Sequence, residues 1–328
     1  MRAAVMKNSH LLFVVLALLA SFVSGCSTVE RQPQRKSGVT QVAYVETVLP
    51  ASEVRGADPY RYPSDAPQIY AQSWILIDAR SGETLAYRNP DQRRPVASTQ
   101  KLLTGLLIAE QGGLEQIVTV KDSDTRVEPS KLGIRPGERY RRRDLLGVMM
   151  VKSSNDAAAC LARDYAGSEA AFANMMTQRA AQLGARNSRF ANAHGLPAAG
   201  QYSTARDMAR IAFYAYRNRT LRDLMARRSY TIQLGNRGTV TLETTNKLLG
   251  RVPYINGMKT GYTQASGRCL VTSASVPGGP ELILVQLGSN TKNIFRDAAR
   301  VMEWGANEYR HRLSRQAQPM LSNAGMRP

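Results

Sequence analysis

Short apolar runs that read as strands stand at both ends of the foldable stretch of this 328-residue chain, with helical patterns between them. Trp74-Ile75-Leu76-Ile77-Asp78 precedes a turn at Ser81-Gly82 and a second run at 84–87, the pattern of a β-hairpin. Near the other end, 257–262, 268–274 and 282–287 read as three successive strands, and a closing helix is expected over 295–313. Between them, Leu102, Leu103, Leu106 and Leu107 repeat at helical spacing and stop before Gly112-Gly113. Further helices are expected over 143–151, 155–165, 169–183 and 204–216, and a hairpin over 230–234 and 239–243 around Gly235-Asn236-Arg237-Gly238. Strands at the two ends must meet to bury their faces. The expected fold class is therefore α/β in the α+β sense: one antiparallel sheet flanked by helices, with an inserted helical lobe.

The segment before this domain reads as targeting sequence. Arg2 and Lys7 precede an apolar run at 11–23 that is too short and wrongly flanked for a membrane span, so residues 1–25 are expected to be a signal peptide. Val23-Ser24-Gly25-Cys26 resembles the lipobox of a bacterial lipoprotein. Cys26 is then the expected lipidation site and membrane anchor; the alternative is an ordinary secretory signal with an incidental cysteine. Both readings export the chain to the periplasmic side. Residues 26–66, rich in Arg, Gln, Ser and Pro, are expected to be a lipidated tether, with at most an isolated strand at 42–49. The domain proper is expected over 67–313 and a disordered tail over 314–328.

A formal net charge of +19 first suggests nucleic acid as a partner. Export argues against that, leaving lipid headgroups, the carboxylates of peptidoglycan, or a merely solubilising surface. Cys160 and Cys269 have small or apolar neighbours and are expected as unpaired core thiols, although an oxidising compartment permits a disulfide. His194 and His311 lie in no metal-binding pattern, so no metal or other cofactor is expected.

Three short motifs fall in one order on suitable elements: Ser98-Thr99-Gln100-Lys101, Ser153-Ser154-Asn155 and Lys259-Thr260-Gly261. Each is weak alone; a second S-x-x-K occurs at Ser289-Asn290-Thr291-Lys292 and a second K-S-G at Lys36-Ser37-Gly38. On a helix starting near Ala97 or Ser98, residues three apart share a face, so the Lys101 amine reaches the Ser98 hydroxyl. A lysine takes a serine proton only if burial and a nearby cation push its pKa towards neutrality. Lys259 is placed to supply that cation. Ser153 is expected to pass a proton to a leaving amine, and Asn155 to hold a substrate amide. Thr260 is expected to bind a carboxylate, Gly261 to admit substrate backbone, and the Tyr262 N–H to share an oxyanion hole with the helix N-terminus. Taken singly, Ser98, Ser153 and Asn155 are ordinary helix caps, Lys101 a solvated helix charge and Lys259 an edge-strand gatekeeper.

These motifs resemble those of the active-site serine penicillin-binding proteins. Asn192-Ala193-His194-Gly195-Leu196, Tyr202-Ser203-Thr204-Ala205-Arg206-Asp207-Met208-Ala209 and Thr245-Asn246-Lys247-Leu248-Leu249 are similar to stretches of the low-molecular-mass D-alanyl-D-alanine carboxypeptidases, as is 257–263. The resemblance covers roughly residues 68–312. It implies a β-lactamase/transpeptidase-like fold with a cleft between sheet and helical lobe. It also implies a serine DD-peptidase that removes terminal D-Ala from peptidoglycan stem peptides through an acyl-Ser98 intermediate, with β-lactam antibiotics as covalent inhibitors. By position, Arg296 is then expected to bind the terminal carboxylate, and His194 to order a loop before Gly195.

Many members of that family carry a further β-rich domain and a C-terminal amphipathic anchor, and the residues after the closing helix are too few for either. Cys26 is expected to replace the anchor. Cleavage of D-Ala-linked cross-bridges is an alternative activity, and a catalytically silent peptidoglycan-binding lipoprotein is the alternative outside enzymology. The deacylating E-x-x-L-N pattern of class A β-lactamases is absent, since Glu169 is followed four residues on by Ala173. Penicilloyl adducts are therefore expected to be released slowly.

Overall fold

A computed structural model describes residues 65–322, with side chains to residue 311. The expected signal peptide, the lipidation site Cys26, most of the tether and the strand at 42–49 lie outside the described residues. The chain enters through β1 (Ser73–Asp78) and β2 (Thr84–Arg88), then forms a 3₁₀ turn (Ala97–Gln100) leading into α1 (Lys101–Gln111). The lobe that follows contains β3 (Ile117–Thr119), α2 (Asp122–Thr125), β4 (Arg139–Arg141), α3 (Arg142–Val151), α4 (Asn155–Ala166) and α5 (Glu169–Gln182). It continues through α6 (Ala205–Arg217), α7 (Arg219–Met225) and the hairpin of β5 (Ser229–Gln233) and β6 (Thr239–Glu243). The chain then returns as β7 (Ile255–Thr263), β8 (Gly267–Ser275) and β9 (Glu281–Ser289), and closes with α8 (Ile294–Ser322).

The two ends do meet. β1 pairs antiparallel with β9 from Ser73 opposite Leu287 to Asp78 opposite Leu282, giving the five-stranded order β2-β1-β9-β8-β7. This leaves β7 with a free edge beside the lobe. Strand alternation sorts the side chains of β1 between two cores. Ile75 and Ile77 join Leu102, Leu106 and Phe172 on the lobe side. Trp74 and Leu76 join Val301 and Met302 of α8 on the other. Covering both faces explains why all six residues of β1 are buried.

The lobe helices start and stop where local chemistry dictates. The Ser168 hydroxyl accepts from the Ala171 N–H to open α5, and Gly167 takes the left-handed conformation that ends α4. Thr204 caps α6 in the same way. Cys160 and Cys269 are both free and buried, in agreement with unpaired core thiols.

Differences from expectation are confined to short elements and ends. β3 and β4 have three residues each, with one buried side chain apiece, too few to announce a period. The helix expected from Ala97 or Ser98 begins as a 3₁₀ turn, and the α-helix proper starts at Lys101. Residues 314–322, expected to fray as part of the disordered tail, continue α8 instead.

Phe172 anchors the lobe, fully buried and edge-on to the Tyr165 ring at 5.3 Å between centroids. Phe172→Ala is expected to lower unfolding free energy by about 3–5 kcal/mol. Urea melts of both proteins measure this, and a loss under about 1 kcal/mol would contradict the packing described.

Candidate active site

Ser98 sits on the 3₁₀ turn, where backbone is pressed in from two sides. A Cβ built on Gly195 would lie 2.1 Å from the Ala97 carbonyl oxygen, and Gly195 has a φ of +91°. A Cβ on Gly261 would lie 2.9 Å from the Ser98 nitrogen and 3.1 Å from that of Thr99. Only glycine permits either approach. Ala97 itself has a φ of 49°, the kind of local strain that persists where surrounding packing over-determines the backbone.

Lys101, first residue of α1, is fully buried. Its Nζ lies 2.8 Å from Ser98 Oγ, 2.7 Å from Asn155 Oδ1 and 2.7 Å from the His194 carbonyl oxygen. Burial, and then the charge of nearby Lys259, push the Lys101 pKa well below the usual lysine value. Lys259, on β7, is likewise buried and is pulled by desolvation down to about 7. Its Nζ donates to the Thr260 carbonyl at 3.0 Å. An edge-strand lysine facing solvent, the ordinary reading of that position, is excluded.

The groups around Lys101 are themselves fixed. The Asn155 amide donates from Nδ2 to the Glu128 carbonyl, and its backbone N–H donates to the Ser130 carbonyl. The sequence pointed to neither carbonyl. Asp156 accepts the N–H groups of Leu132, Gly133 and Ile134, fixing the loop that carries Ser130. The His194 ring accepts the Leu196 N–H at Nδ1, which leaves the proton on Nε2, 3.2 Å from the Glu169 carboxylate. Burial, with help from the Lys101 charge, lowers His194 to about 3, so this contact is a hydrogen bond from a neutral imidazole rather than an ion pair. His194 thus presents its backbone carbonyl to Ser98 and Lys101 while its ring is held from behind. Glu169 had no sequence signal for this position beyond opening α5.

Other expected residues line a cleft of about 310 Å³ between β7 and the lobe. Ser98, Ser153, Asn155, Thr260, Gly261 and Tyr262 all contribute to its wall. Ser153 adopts a φ of 70° just before α4, so the second motif is a strained turn rather than a plain cap. Thr260 Oγ1 donates to Thr245 Oγ1 at 2.6 Å, which ties the third motif to the segment around Asn246. Arg296 departs from expectation. It lies in the first turn of α8 with its side chain 58% exposed, donates to the Asn293 side chain and is 3.9 Å from Asp297. Its neighbours Ile294 and Phe295 line the cleft, and the arginine in the wall is Arg268. Helical rotation explains this: one residue along α8 turns a side chain by about 100°.

Lys259 offers a thermodynamic check. Its folded pKa of about 7 lies below that of an exposed lysine, so between the two the unfolded chain binds the extra proton and stability rises with pH. Relative to Lys259→Met, the wild type is expected to gain up to about 1.4 kcal/mol per pH unit from pH 7 towards 10. Denaturant melts at several pH values measure that difference, and a flat one would show an amine that stays charged.

The sequence and fold have counterparts. The D-alanyl-D-alanine carboxypeptidase family matches residues 61–291. DacC of Escherichia coli, a D-alanyl-D-alanine carboxypeptidase, is 34% identical over 257 residues, 74% of this chain, and the match spans 62% of that relative's length. The solved D-alanyl-D-alanine carboxypeptidase of Mycobacterium tuberculosis superposes with a TM-score of 0.71 at 30% identity, over 75% of this chain and 94% of that one. Penicillin binding protein 5 of Haemophilus influenzae gives 0.68 at 31%, over 73% and 71%. A match over most of the described fold, with the three motifs gathered around one cleft, places this chain in the D-alanyl-D-alanine carboxypeptidase family.

Proposed function

We propose that this protein is a serine DD-peptidase that removes the terminal D-Ala from peptidoglycan stem peptides and is acylated by β-lactams. The observation that carries the reading is the 2.8 Å approach of a buried, pKa-depressed Lys101 amine to Ser98 Oγ. A neutral amine has two N–H donors and one lone pair. The Asn155 and His194 oxygens, each at 2.7 Å, take the two donors, and the lone pair is left for the Ser98 hydroxyl.

Ser98 Oγ then attacks the carbonyl of the penultimate D-Ala while its proton passes to Lys101 Nζ. The N–H groups of Ser98 and Tyr262 face the developing oxyanion, worth roughly 3–4 kcal/mol for one such donor. The scissile C–N bond breaks as Lys101 returns that proton, relayed through the Ser153 hydroxyl, to the amine of the leaving D-Ala, which leaves Lys101 neutral and Ser153 protonated. Water attacks the acyl-Ser98 ester with Lys101 again as base, releasing the shortened peptide. Thr260, beside buried Lys259, is assigned to the terminal carboxylate. The substrate backbone adds to the free edge of β7. Export by residues 1–25 and attachment through lipidated Cys26 would place the 67–313 domain on the periplasmic side, where this substrate lies.

Fluorescent penicillin is expected to label the wild type covalently and Ser98→Ala not at all. Release of D-Ala from a synthetic stem pentapeptide should follow the same pattern, and equal labelling of both proteins would refute the assignment. Lys101→Arg keeps a cation that cannot give up its proton. Its acylation rate is expected to fall by about 10²–10⁴, measured by stopped labelling and checked against an unchanged circular dichroism spectrum. Near-normal acylation would assign the base elsewhere.

A further inference from the structure

The side chains lining the cleft are unbalanced in charge. Lys152, Lys247 and Arg268 stand in its wall, and no aspartate or glutamate does among the described residues. Arg268 differs from the paired arginines of the lobe. Arg142, Arg163 and Arg179 each pair with a carboxylate at 2.7–2.9 Å, whereas Arg268 pairs with none among the described residues.

Arg268 is nonetheless held in place. Register puts it directly opposite Tyr262 across the β7–β8 ladder. Its guanidinium lies 4.2 Å over the Tyr262 ring, and its Nε donates to Thr291 Oγ1 at 3.0 Å. Tyr262 is 55% exposed, a large aromatic surface left at the cleft mouth. Stacking and the Nε bond fix the plane of the guanidinium and leave its terminal nitrogens for a further partner. A fork held in this way loses less rotamer entropy when it binds a carboxylate.

Direction along β7 says which part of a substrate meets this fork. With the leaving D-Ala at Thr260 and the scissile carbonyl at Ser98, a peptide laid on the free edge of β7 carries its acyl half past Tyr262 and Thr263. We propose that Arg268, stacked on Tyr262, is a specificity-determining residue that binds a free carboxylate on the acyl half of the stem peptide, so that the enzyme prefers donors bearing that carboxylate over amidated ones. This inference rests on the DD-peptidase reading. The carboxylate concerned belongs to the residue preceding the D-Ala pair and is distinct from the terminal one.

The test uses the full-length protein and two synthetic peptides ending in D-Ala-D-Ala. They are identical except that the residue preceding that pair carries a free side-chain carboxylate in one and a carboxamide in the other. Wild type is expected to favour the free acid by about tenfold in kcat/KM, as for a charge-assisted hydrogen bond at a partly exposed site. In Arg268→Gln the ratio should fall towards one, and Arg268→Lys, which keeps the charge without the fork, should give an intermediate ratio. Equal wild-type rates on the two peptides would overturn the inference without needing any variant. So would an undiminished preference in Arg268→Gln. If both peptides are cleaved alike while penicillin still labels Ser98, only this inference falls. If neither is cleaved and no label forms, the peptidase reading falls and takes the inference with it.

Discussion

A lysine amine sealed from water between three oxygens is the contact on which the rest of this structure depends. Lys101 could be buried only because Ser98, Asn155 and the His194 carbonyl satisfy its hydrogen-bonding capacity. Each oxygen comes from a different part of the chain, so the amine joins the 3₁₀ turn, the start of α4 and the loop before α6. Burial then does two things at once. It disfavours the charged amine, and it fixes where Nζ sits among the three oxygens.

Lys259 shares that constraint. Two buried lysines in one cleft disfavour each other's charge, and Lys259 contributes to the lowering of Lys101. Neither has a carboxylate at ion-pair distance among the described residues; the acids near the site, Asp156 and Glu169, are occupied with backbone N–H groups and the His194 ring. The cleft therefore carries Lys152, Lys247 and Arg268 in its wall above two buried amines whose charged forms are disfavoured.

Much of this was legible in the sequence because it is written in local terms. Spacing of three between Ser98 and Lys101 sets their contact on any helical turn, and 3₁₀ geometry preserved it although an α-helix was expected there. Strand and helix periods located the long elements to within a few residues, apart from the far end of α8. Elements such as β3, β4 and α7 were not legible, being too short to complete a period. Arg296 illustrates a different limit. Its place in the order of motifs suggested a cleft residue, but which way a side chain points from the first turn of a helix is set by how that helix docks.

By itself the sequence determined the fold class and the three motifs that gather at the cleft, since motif order and apolar period are properties of the chain. Tertiary structure decided the chemistry those residues are capable of. Burial of Lys101 and Lys259, the clamp of Glu169 on His194, the backbone approaches at Gly195 and Gly261, and the stack of Arg268 on Tyr262 all arise between segments far apart in the chain. A pKa depends on the dielectric and charges around a group, and those exist only once distant segments have closed over it.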